Sequence, residues 1–310
     1  MRPLRVACLG ECMVELREQA PGLLAQGFAG DTYNTAVYLR RLVPADAMQI
    51  DCATAVGGDM FAPAMLQAWQ REGIGSALLR QVPERSTGLY AIRTQAQGER
   101  HFSYWRENSA ARAYFEGESS PLEQQADHID VLYLSGISLA IMGPDMPPRL
   151  EALIAKMRSR GARIVFDNNY RARLWASAEA ARAAFARLYE LADIALVTLD
   201  DEMALHGTSA TVARAQALAL PCAEVAIKRG AAPTLVRVLG EPTIEVAVEP
   251  VAQAVDTTAA GDSFAAGYLS QRLRGASVEA AARLGNRLAA TVIQHPGAII
   301  PREAMAWALA

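Results

Sequence analysis

Short apolar runs of four or five residues alternate with longer amphipathic segments along most of this chain. The runs are typical of buried strands, and the segments have the spacing of helices. Repeated strand-then-helix order predicts an α/β fold with a mostly parallel central sheet, helices on both faces, and ligands at the carboxyl ends of the strands. The predicted strands are Arg5–Leu9, Cys52–Val56, Val131–Leu134, Arg163–Asp167, Ile194–Thr198, Glu224–Lys228 and Thr234–Val238.

Glycines mark the ends of some of the predicted helices. Gly73 and Gly161 follow two of the amphipathic segments, as expected where the backbone turns left-handed after the last helical turn. The predicted helices are Thr35–Leu42, Phe61–Glu72, Met146–Ser159, Ala176–Leu191, Asp262–Leu273 and Val278–Ile293.

A hairpin interrupts this rhythm. The runs Gly88–Arg93 and Arg100–Arg106 are rich in residues that favour strands, and Thr94–Glu99, which contains Gly98, separates them. Hairpins inserted into an α/β chain often lie over the active site. We therefore expect a single domain, residues 1–310, with a small β lid formed by residues 11–30 and 88–112.

Composition narrows the class of protein. With 52% hydrophobic and 20% charged residues, the 310-residue chain can bury a sizeable core. Thirty Lys and Arg residues against 33 Asp and Glu residues give a net charge of −3, which argues against a general nucleic-acid binder. No apolar run reaches the roughly 18 residues that a membrane span needs, so we expect no membrane segment.

The termini and the cysteines favour a cytoplasmic location. The first residues lack the apolar core and small-residue cleavage site of a signal peptide. Four cysteines have neither CxxC spacing nor the density of a disulfide framework, so reduced, buried thiols are expected. They are Cys8, Cys12, Cys52 and Cys222.

Several common catalytic signatures are missing from the sequence. It contains no GxxxxGK[ST] loop, no protein-kinase HRD and DFG set, no HExxH and no GxSxG. A Rossmann dehydrogenase is excluded because no GxGxxG follows the first strand. The four histidines are scattered without the spacing of metal ligands.

The segment Val255–Phe264, VDTTAAGDSF, carries the clearest chemistry. Small residues at 259–261 allow backbone N–H groups to approach a ligand at the start of a helix, where the helix dipole also favours an anion. Asp262 lies at the rim of this site. Local physics leaves two roles open for Asp262, because Asp is also a frequent helix cap.

The wider motif DTTAAGDSFAAGYL resembles the C-terminal signature of the ribokinase-like (PfkB) sugar kinases, usually D-T-x-G-A-G-D. Gly30–Asn34 and Val56–Asp59 are similar to that family's first signature region. The resemblance implies a ribokinase-like fold, an anion hole at Ala259, Ala260 and Gly261, and Asp262 as the catalytic base. Ala259 replaces the usual glycine, which is tolerable if φ stays negative there.

Four further segments resemble the branch of the family that phosphorylates 2-keto-3-deoxygluconate. They are Gly98–Arg106, Leu134–Ser138, Asp167–Trp175 and Gly297–Pro301. The resemblance implies that Asp31 holds substrate hydroxyls. It also implies a pocket for the keto acid that is lined by Gly30, Asn34, Tyr90, Tyr104, Arg106 and Arg171.

Arginine suits the substrate of that branch on physical grounds. A sugar acid needs a cation for its carboxylate, and the planar guanidinium matches a carboxylate best. Arg106 on the hairpin and Arg171 after a strand could converge on one ligand, although single arginines are usually solvated surface charges.

The resemblance also implies a nucleotide side. The Lys228–Gly230 turn would pass beside the phosphates and base of ATP, and Lys228 is one of only two lysines in the chain. Asn169 and Asn286 match positions that approach the nucleotide. The family's N-x-x-E element, which is associated with Mg²⁺, aligns with Thr198–Asp201, so Asp201 is expected to act on Mg²⁺ through water.

The function implied is ATP-dependent phosphorylation of 2-dehydro-3-deoxy-D-gluconate at its terminal hydroxyl, with ATP and Mg²⁺ as cofactors. The partners expected are the sugar acid and ATP, without nucleic acid or membrane. A homo-oligomer is plausible, because exposed lid strands often pair between subunits. Two alternatives stay open: a kinase for a neutral sugar, of fructokinase or ribokinase type, and a sugar- or nucleotide-binding sensor without activity.

Overall fold

The computed structural model describes residues 2–94, 100–143 and 146–309, so Gly98 and most of the predicted hairpin turn lie outside the described residues. The strands form one nine-stranded and one four-stranded sheet. They are β1 Leu4–Leu9, β2 Met13–Ala20, β3 Leu23–Ala29, β4 Met48–Val56, β5 Leu79–Gln81, β6 Leu89–Thr94, β7 Arg100–Trp105, β8 Val131–Ser135, β9 Arg163–Asp167, β10 Ile194–Thr198, β11 Glu224–Arg229, β12 Ala232–Val238 and β13 Ile244–Val246.

Helices cover both faces of the large sheet. They are α1 Asp31–Leu42, α2 Phe61–Glu72, α3 Pro121–Gln125, α4 Gly136–Ile141, α5 Met146–Arg158, α6 Ala178–Leu191, α7 Leu199–His206, α8 Ala210–Leu218, α9 Ala260–Arg272, α10 Val278–Val292 and α11 Ala306–Leu309.

The large sheet has the strand order β13-β12-β11-β10-β9-β8-β1-β4-β5. The seven strands from β11 to β5 run parallel, whereas β12 and β13 are antiparallel additions at one edge. The carboxyl ends of the parallel strands therefore meet along one edge of the sheet, which is where α/β folds bind ligands. The predicted fold class is confirmed, including a second, small sheet.

Strand alternation divides the core into two layers. Val6 and Cys8 of β1 belong to the cluster that packs under α1, α2, α9 and α10. Ala7 and Leu9 face the opposite side, in the cluster that includes residues of α5 and α6. Successive side chains of a strand point to opposite faces, so each apolar run supplies both layers at once.

The small sheet, here called the lid, has the order β3-β2-β6-β7. It leaves the large sheet at the end of β1, with only residues 10–12 between β1 and β2. β2 pairs with β6 in parallel and β6 with β7 in antiparallel, which aligns Glu15 with Tyr90 and Tyr90 with Tyr104. These three side chains therefore share one face of the lid.

Some element boundaries differ from the sequence-based expectations. Helix α1 begins at Asp31 rather than at the predicted Thr35. Its N-cap residue is Gly30, which has no capping side chain that would mark this boundary in the sequence. Strand β4 begins at Met48, before the predicted Cys52. The short helices α7 and α8 were not predicted, since fewer than three helical turns give a weak periodic signal.

Two expectations about chemistry can be compared with the structure. All four cysteines are buried and free. Within residues 2–94, 100–143 and 146–309, no helix combines the length and apolar character that crossing a bilayer requires.

Helices α9 and α10 touch through glycines. A Cβ atom on Gly267 would lie 2.8 Å from Cα of Gly285, and one on Gly285 would lie 2.8 Å from a ring carbon of Phe264. Neither helix has room to yield, because Phe264 is 3% exposed and packed in the core. This close approach fixes the position of α9, whose first turn carries Asp262.

The Gly285→Ala variant tests whether this contact controls the stability of the fold. In an unconstrained helix the change stabilises by about 1 kcal/mol, because alanine is the better helix former. Here we expect destabilisation of about 1–3 kcal/mol from overpacking against Phe264. Denaturant unfolding measures the sign, and a stabilised variant would contradict the packing described above.

Candidate active site

The ends of three parallel strands bring polar side chains to one edge of the large sheet. β8 ends at Ser135, β9 at Asp167, and Lys228 is the penultimate residue of β11. All three are buried, at 0%, 2% and 9% exposure. Helix α9 begins beside them, since a Cβ atom on Gly261 would lie 3.4 Å from Nζ of Lys228.

The first turn of α9 presents free backbone donors. Within the described part of the chain, no carbonyl accepts a hydrogen bond from the N–H groups of Gly261 or Asp262. The N–H of Ala260 instead donates to the carbonyl of Thr257 at 3.3 Å. Of the three residues predicted to form the anion hole, Ala260 thus has a backbone N–H group that already has an acceptor.

The backbone conformation of Ala259 differs from a second expectation. Its φ is 61°, in the left-handed region, whereas the sequence analysis required a negative φ for alanine to be tolerable. For an alanine this conformation costs about 1–2 kcal/mol. Asp256 braces the loop, accepting hydrogen bonds from the N–H groups of Thr258 at 2.8 Å and Gly297 at 2.9 Å.

Asp262 is held from helix α1. Nδ2 of Asn34 donates to Oδ2 of Asp262 at 2.8 Å, and Oδ1 of Asn34 accepts from the N–H of Gly30 at 3.3 Å. The hydroxyl of Thr35 donates to the main-chain carbonyl of Asp262 at 3.2 Å. Gly30, Asn34 and Asp262, predicted separately, thus form one hydrogen-bonded chain.

Asp31 and Asn169 form the next part of the site. Oδ2 of Asp31 accepts hydrogen bonds from the hydroxyl of Ser135 and from Nδ2 of Asn169, the latter at 2.8 Å. Asn169 has a φ of 24°, a positive value that asparagine adopts more readily than most residues. Asp31, which was expected to hold sugar hydroxyls, thus forms a hydrogen bond with Asn169, which was expected to approach the nucleotide.

Lys228 and Asp167 form a buried ion pair. Nζ of Lys228 lies 2.7 Å from Oδ2 of Asp167. Because Lys228 also lies beside Gly261, its ammonium group adds positive charge to the free N–H groups of the α9 start. The arrangement suits a phosphate-sized anion.

Burial and the neighbouring negative charges raise the pKa values of two of these carboxyl groups. Burial raises the pKa of Asp262 to about 7, and the charges of Asp31 and Asp167 act in the same direction. The hydrogen bond from Asn34 and the charge of Lys228 oppose the rise. Burial likewise raises the pKa of Asp167 against the effect of Lys228.

This result changes the expected chemistry of Asp262. A helix start alone would favour the ionised form and make the carboxylate a weak base. Desolvation and the neighbouring carboxylates outweigh that effect. A pKa near neutrality makes Asp262 an effective proton acceptor at physiological pH.

The lid contributes an aromatic wall. The rings of Tyr90 and Tyr104 stack with centroids 5.7 Å apart, and the hydroxyl of Tyr90 donates to Glu15. Tyr104 and Ala259 both pack against the same small apolar cluster, which contains Tyr90 and Ala298. The lid face therefore reaches the loop at the start of α9.

Arg106 lies at the base of the lid with an acidic partner. It is 7% exposed, and its guanidinium forms an ion pair with Glu11, which is 2% exposed. Nε of Arg106 and both carboxylate oxygens of Glu11 are buried without a well-aligned hydrogen bond in the described residues. A Cβ atom on Gly88 would lie 2.4 Å from Glu11, so glycine leaves the room for this pair.

Arg171 and Asp201 contact each other. Nη1 of Arg171 lies 3.1 and 3.2 Å from the two carboxylate oxygens of Asp201. The guanidinium of Arg171 thus faces Asp201, whereas that of Arg106 pairs with Glu11. Among the residues that the structure describes, no group of three or more His, Cys, Asp or Glu side chains is arranged to hold a metal.

The two remaining nucleotide residues differ in their surroundings. Gly230 has a φ of 59° and makes the turn after β11. Asn286 is buried, accepts a hydrogen bond from Thr234 at 2.7 Å and donates to the carbonyls of Val246 and Ala247 at 3.3 and 3.1 Å. These contacts tie α10 to the antiparallel edge of the sheet.

Sequence reasoning assigned no role to several residues of this site. Asp167 and Ser135 could have been found from their position, since each is a polar residue at the carboxyl end of a buried strand. Glu11 and Glu15 had none, because a glutamate near the start of a strand has no distinctive pattern. Their partners, Arg106 and Tyr90, are distant in the chain.

Comparisons with known proteins agree with this geometry. Residues 4–305 match the family model described as pfkB family carbohydrate kinase. The chain is 46% identical to a 2-dehydro-3-deoxygluconokinase of Escherichia coli strain K12, covering 97% of this chain and 98% of that protein. It is 45% identical to the protein of that name from Dickeya dadantii, over 98% and 99% of the two chains.

A solved structure is similar in fold. Aminoimidazole riboside kinase from Salmonella enterica, crystallised with aminoimidazole riboside and an ATP analogue, superposes with a TM-score of 0.81. The superposition covers 98% of this chain and 99% of the riboside kinase chain, and the two sequences are 23% identical. At that identity the likeness establishes the fold alone.

Titration of Asp262 tests the electrostatics of the site. We expect its side-chain carboxyl carbon, followed by NMR in the ligand-free protein, to titrate with a midpoint near 7. Asp31→Asn removes a negative charge that raises this pKa, so the midpoint should fall. Asp127→Asn changes an exposed carboxylate that pairs with Lys156 and serves as the control. An unchanged midpoint in Asp31→Asn would contradict the assignment.

Proposed function

The chain belongs to the pfkB family of carbohydrate kinases, and we propose that it transfers the γ-phosphoryl group of ATP to the terminal hydroxyl of 2-dehydro-3-deoxy-D-gluconate. The products are ADP and the 6-phosphate of the sugar acid. The names of the relatives at 45–46% identity over nearly the whole chain support this substrate. The geometry around Asp262 supports the reaction type.

The observation that carries the proposal is the position and pKa of Asp262. Its carboxylate lies beside free N–H groups and the ammonium of Lys228, and its pKa is raised to about 7. A carboxylate next to an anion site is unfavourable for holding a phosphate at rest. It becomes useful when it accepts the proton of the hydroxyl that attacks the phosphoryl group.

The start of α9 and Lys228 would stabilise the charge on the transferred group. Phosphoryl transfer is loose, so positioning and electrostatic stabilisation supply most of the rate. The N–H groups of Gly261 and Asp262 point from the helix start, and Nζ of Lys228 lies next to Gly261. Together they form a set of hydrogen-bond donors that is already fixed before ATP binds.

Asn34 and Asp31 would orient the sugar. Asn34 donates to Asp262 and keeps the carboxylate directed toward the site. Asp31, which accepts from Ser135 and Asn169, offers a carboxylate oxygen to sugar hydroxyls beside it. Tyr90 and Tyr104 would close over the ring from the lid and exclude water from the transferred phosphoryl group.

Mg²⁺ fits this site as an ion carried by the phosphates rather than in a protein cage. Within the described ranges no cluster of three acidic, His or Cys ligands is present, and Asp201 faces Arg171. Mg²⁺ commonly keeps waters and phosphate oxygens as most of its ligands. When bound, it neutralises charge on the phosphates.

The alternatives receive less support. A sensor without activity has no need of a proton acceptor tuned toward neutrality, and Asp262 with its anion site is intact. A kinase for a neutral sugar is less consistent with the relatives at 45–46% identity, which are named 2-dehydro-3-deoxygluconokinase.

A panel of acceptors tests the proposed substrate. With Mg-ATP, we expect kcat/KM for 2-dehydro-3-deoxy-D-gluconate to exceed the values for fructose, ribose and adenosine by at least about a hundredfold. A coupled assay of ADP release measures the rates, and the galactonate epimer of the keto acid belongs in the panel. A neutral sugar as the best acceptor would overturn the substrate while leaving the role of Asp262 intact.

The control for that panel is Asp262→Asn, purified in the same way. Loss of a general base should lower kcat by at least about a hundredfold for every acceptor. Turnover close to that of the wild type would show that Asp262 is not the proton acceptor, or that a contaminating kinase supplies the measured activity.

A further inference from the structure

A buried carboxylate lies behind the active site without a lysine or arginine beside it. Glu202, in the first turn of α7, is 1% exposed. Among the residues that the structure describes, its one ion-pair partner is His206, whose Nε2 atom lies 3.2 Å from Oε1 of Glu202. Burying such a charge is unfavourable unless hydrogen bonds compensate for it. A glutamate kept in this position therefore points to a group that it holds in place.

The other carboxylate oxygen of Glu202 faces Asn168. Nδ2 of Asn168 donates to Oε2 of Glu202 at 3.2 Å, and the hydroxyl of Tyr189 donates to the same oxygen at 3.4 Å. Asn168 is 0% exposed and directly follows Asp167, the last residue of β9. The first turn of α7, which follows β10, thus reaches the carboxyl end of the neighbouring strand.

The side chain of Asn168 makes every hydrogen bond that it can. Its Oδ1 atom accepts from the N–H groups of Asn169 at 2.9 Å and Thr198 at 2.8 Å. Its Nδ2 atom donates to the carbonyl of Thr198 at 3.1 Å and to Glu202. A side-chain amide has two donor and two acceptor positions, so Glu202 supplies the last of the four contacts. Without Glu202, a buried N–H donor would be left unpaired.

Asn169 is the residue that this arrangement fixes. Its φ of 24° is positive, a conformation that few residues adopt outside glycine. Its N–H donates to Oδ1 of Asn168 and, at the longer distance of 3.3 Å, to Oδ1 of Asp167. Its own Nδ2 atom donates to Oδ2 of Asp31 at 2.8 Å. A change in this backbone conformation would therefore move Nδ2 away from Asp31.

A continuous chain of hydrogen bonds thus runs from α7 to the site. It passes from Glu202 through Asn168 and Asn169 to Asp31, the carboxylate that would bind sugar hydroxyls. Residues that support a site in this way keep the reacting groups in a productive geometry. The effect can be large, since a displacement of about 1 Å can lower a rate by about a hundredfold.

We propose that Glu202 is a positioning residue, which holds Asn168 so that Asn169 keeps the backbone conformation in which it binds Asp31. The inference rests on the proposed function, because it explains how the chain fixes the carboxylate that would orient the sugar acid. Glu202 acts from behind the site, since its side chain is 1% exposed.

Steady-state kinetics of Glu202→Ala test this role. We expect KM for 2-dehydro-3-deoxy-D-gluconate to rise at least about fivefold, because Asp31 is no longer held where it would meet the sugar. A variant that is merely less stable contains fewer active molecules, which lowers kcat and leaves KM unchanged. The division of the effect between KM and kcat therefore distinguishes positioning from loss of the fold.

Further variants sharpen the comparison. Glu202→Gln keeps an oxygen that can accept from Asn168, so its KM should stay within about twofold of the wild type. Leu205→Ala is the matched control, because Leu205 is 1% exposed on the same helix and its side chain takes no part in the hydrogen-bond chain. It loses apolar packing and stability, and we expect its KM to be unchanged. If Glu202→Ala does not fold, Glu202→Asp, which withdraws the carboxylate by one methylene, takes its place with the same expected rise in KM.

Hydrogen exchange in the ligand-free protein tests the contact without any substrate. The N–H groups of Asn169 and Thr198 both donate to Oδ1 of Asn168. Relative to the N–H of Leu196 in β10, we expect both to exchange at least about tenfold faster in Glu202→Ala than in the wild type. In Leu205→Ala and Glu202→Gln these ratios should stay close to those of the wild type.

A raised KM together with faster exchange at Asn169 supports the proposal. An unchanged exchange ratio at Asn169, or an unchanged KM in Glu202→Ala, would overturn it and make Glu202 a purely structural residue. The exchange experiment also separates this inference from the proposed function. If the wild type transfers no phosphate to the keto acid, the proposed reaction fails, whereas faster exchange at Asn169 in Glu202→Ala still supports the role of Glu202.

Discussion

Three carboxylates, Asp31, Asp167 and Asp262, meet around the start of one helix, and only one lysine lies among them. Lys228 pairs with Asp167, so Asp262 shares the charge of that lysine and is otherwise stabilised by a hydrogen bond from Asn34 and by the dipole of α9. Burial of the carboxyl group is the main unfavourable effect, the charges of Asp31 and Asp167 add to it, and together they raise the pKa of Asp262 to about 7. The arrangement persists because the surrounding fold fixes each backbone that carries a charge.

Much of the structure can be understood as the support of this cluster. The parallel order of β8, β9, β10 and β11 places their carboxyl ends together, and the hydroxyl of Ser135 and the amide of Asn169 satisfy Asp31. Contact between Gly267 and Gly285 holds α9 against α10. Strain at Ala259 is a further cost, which the hydrogen bonds of Asp256 offset locally. Active sites commonly concentrate unfavourable features of this kind.

The sequence allowed the central part of this arrangement to be predicted. Apolar runs located the parallel strands, and the small residues before Asp262 marked the helix start that lies beside Lys228. Three features had no local signal. The left-handed φ of Ala259 depends on how the loop meets Gly297, and the pairs Arg106–Glu11 and Arg171–Asp201 depend on segments that are distant in the chain. The hydrogen bonds of Asn286 with Thr234 and Val246 had no local signal either, because they depend on the antiparallel edge formed by β12 and β13.

The pH dependence of stability tests most directly whether the carboxylate cluster is strained. A carboxyl group whose pKa is higher in the folded than in the unfolded state stabilises the fold when protonated, and this contribution is lost as pH rises through the folded value. Unfolding of the wild type and of Asp262→Asn should therefore be compared from about pH 5 to about pH 8, since the pKa of Asp262 is raised to about 7. The account predicts that the wild type loses stability relative to Asp262→Asn as pH rises to about 7 and that the difference is then constant. A difference that does not change with pH, or a wild type that gains stability over the variant, would contradict it.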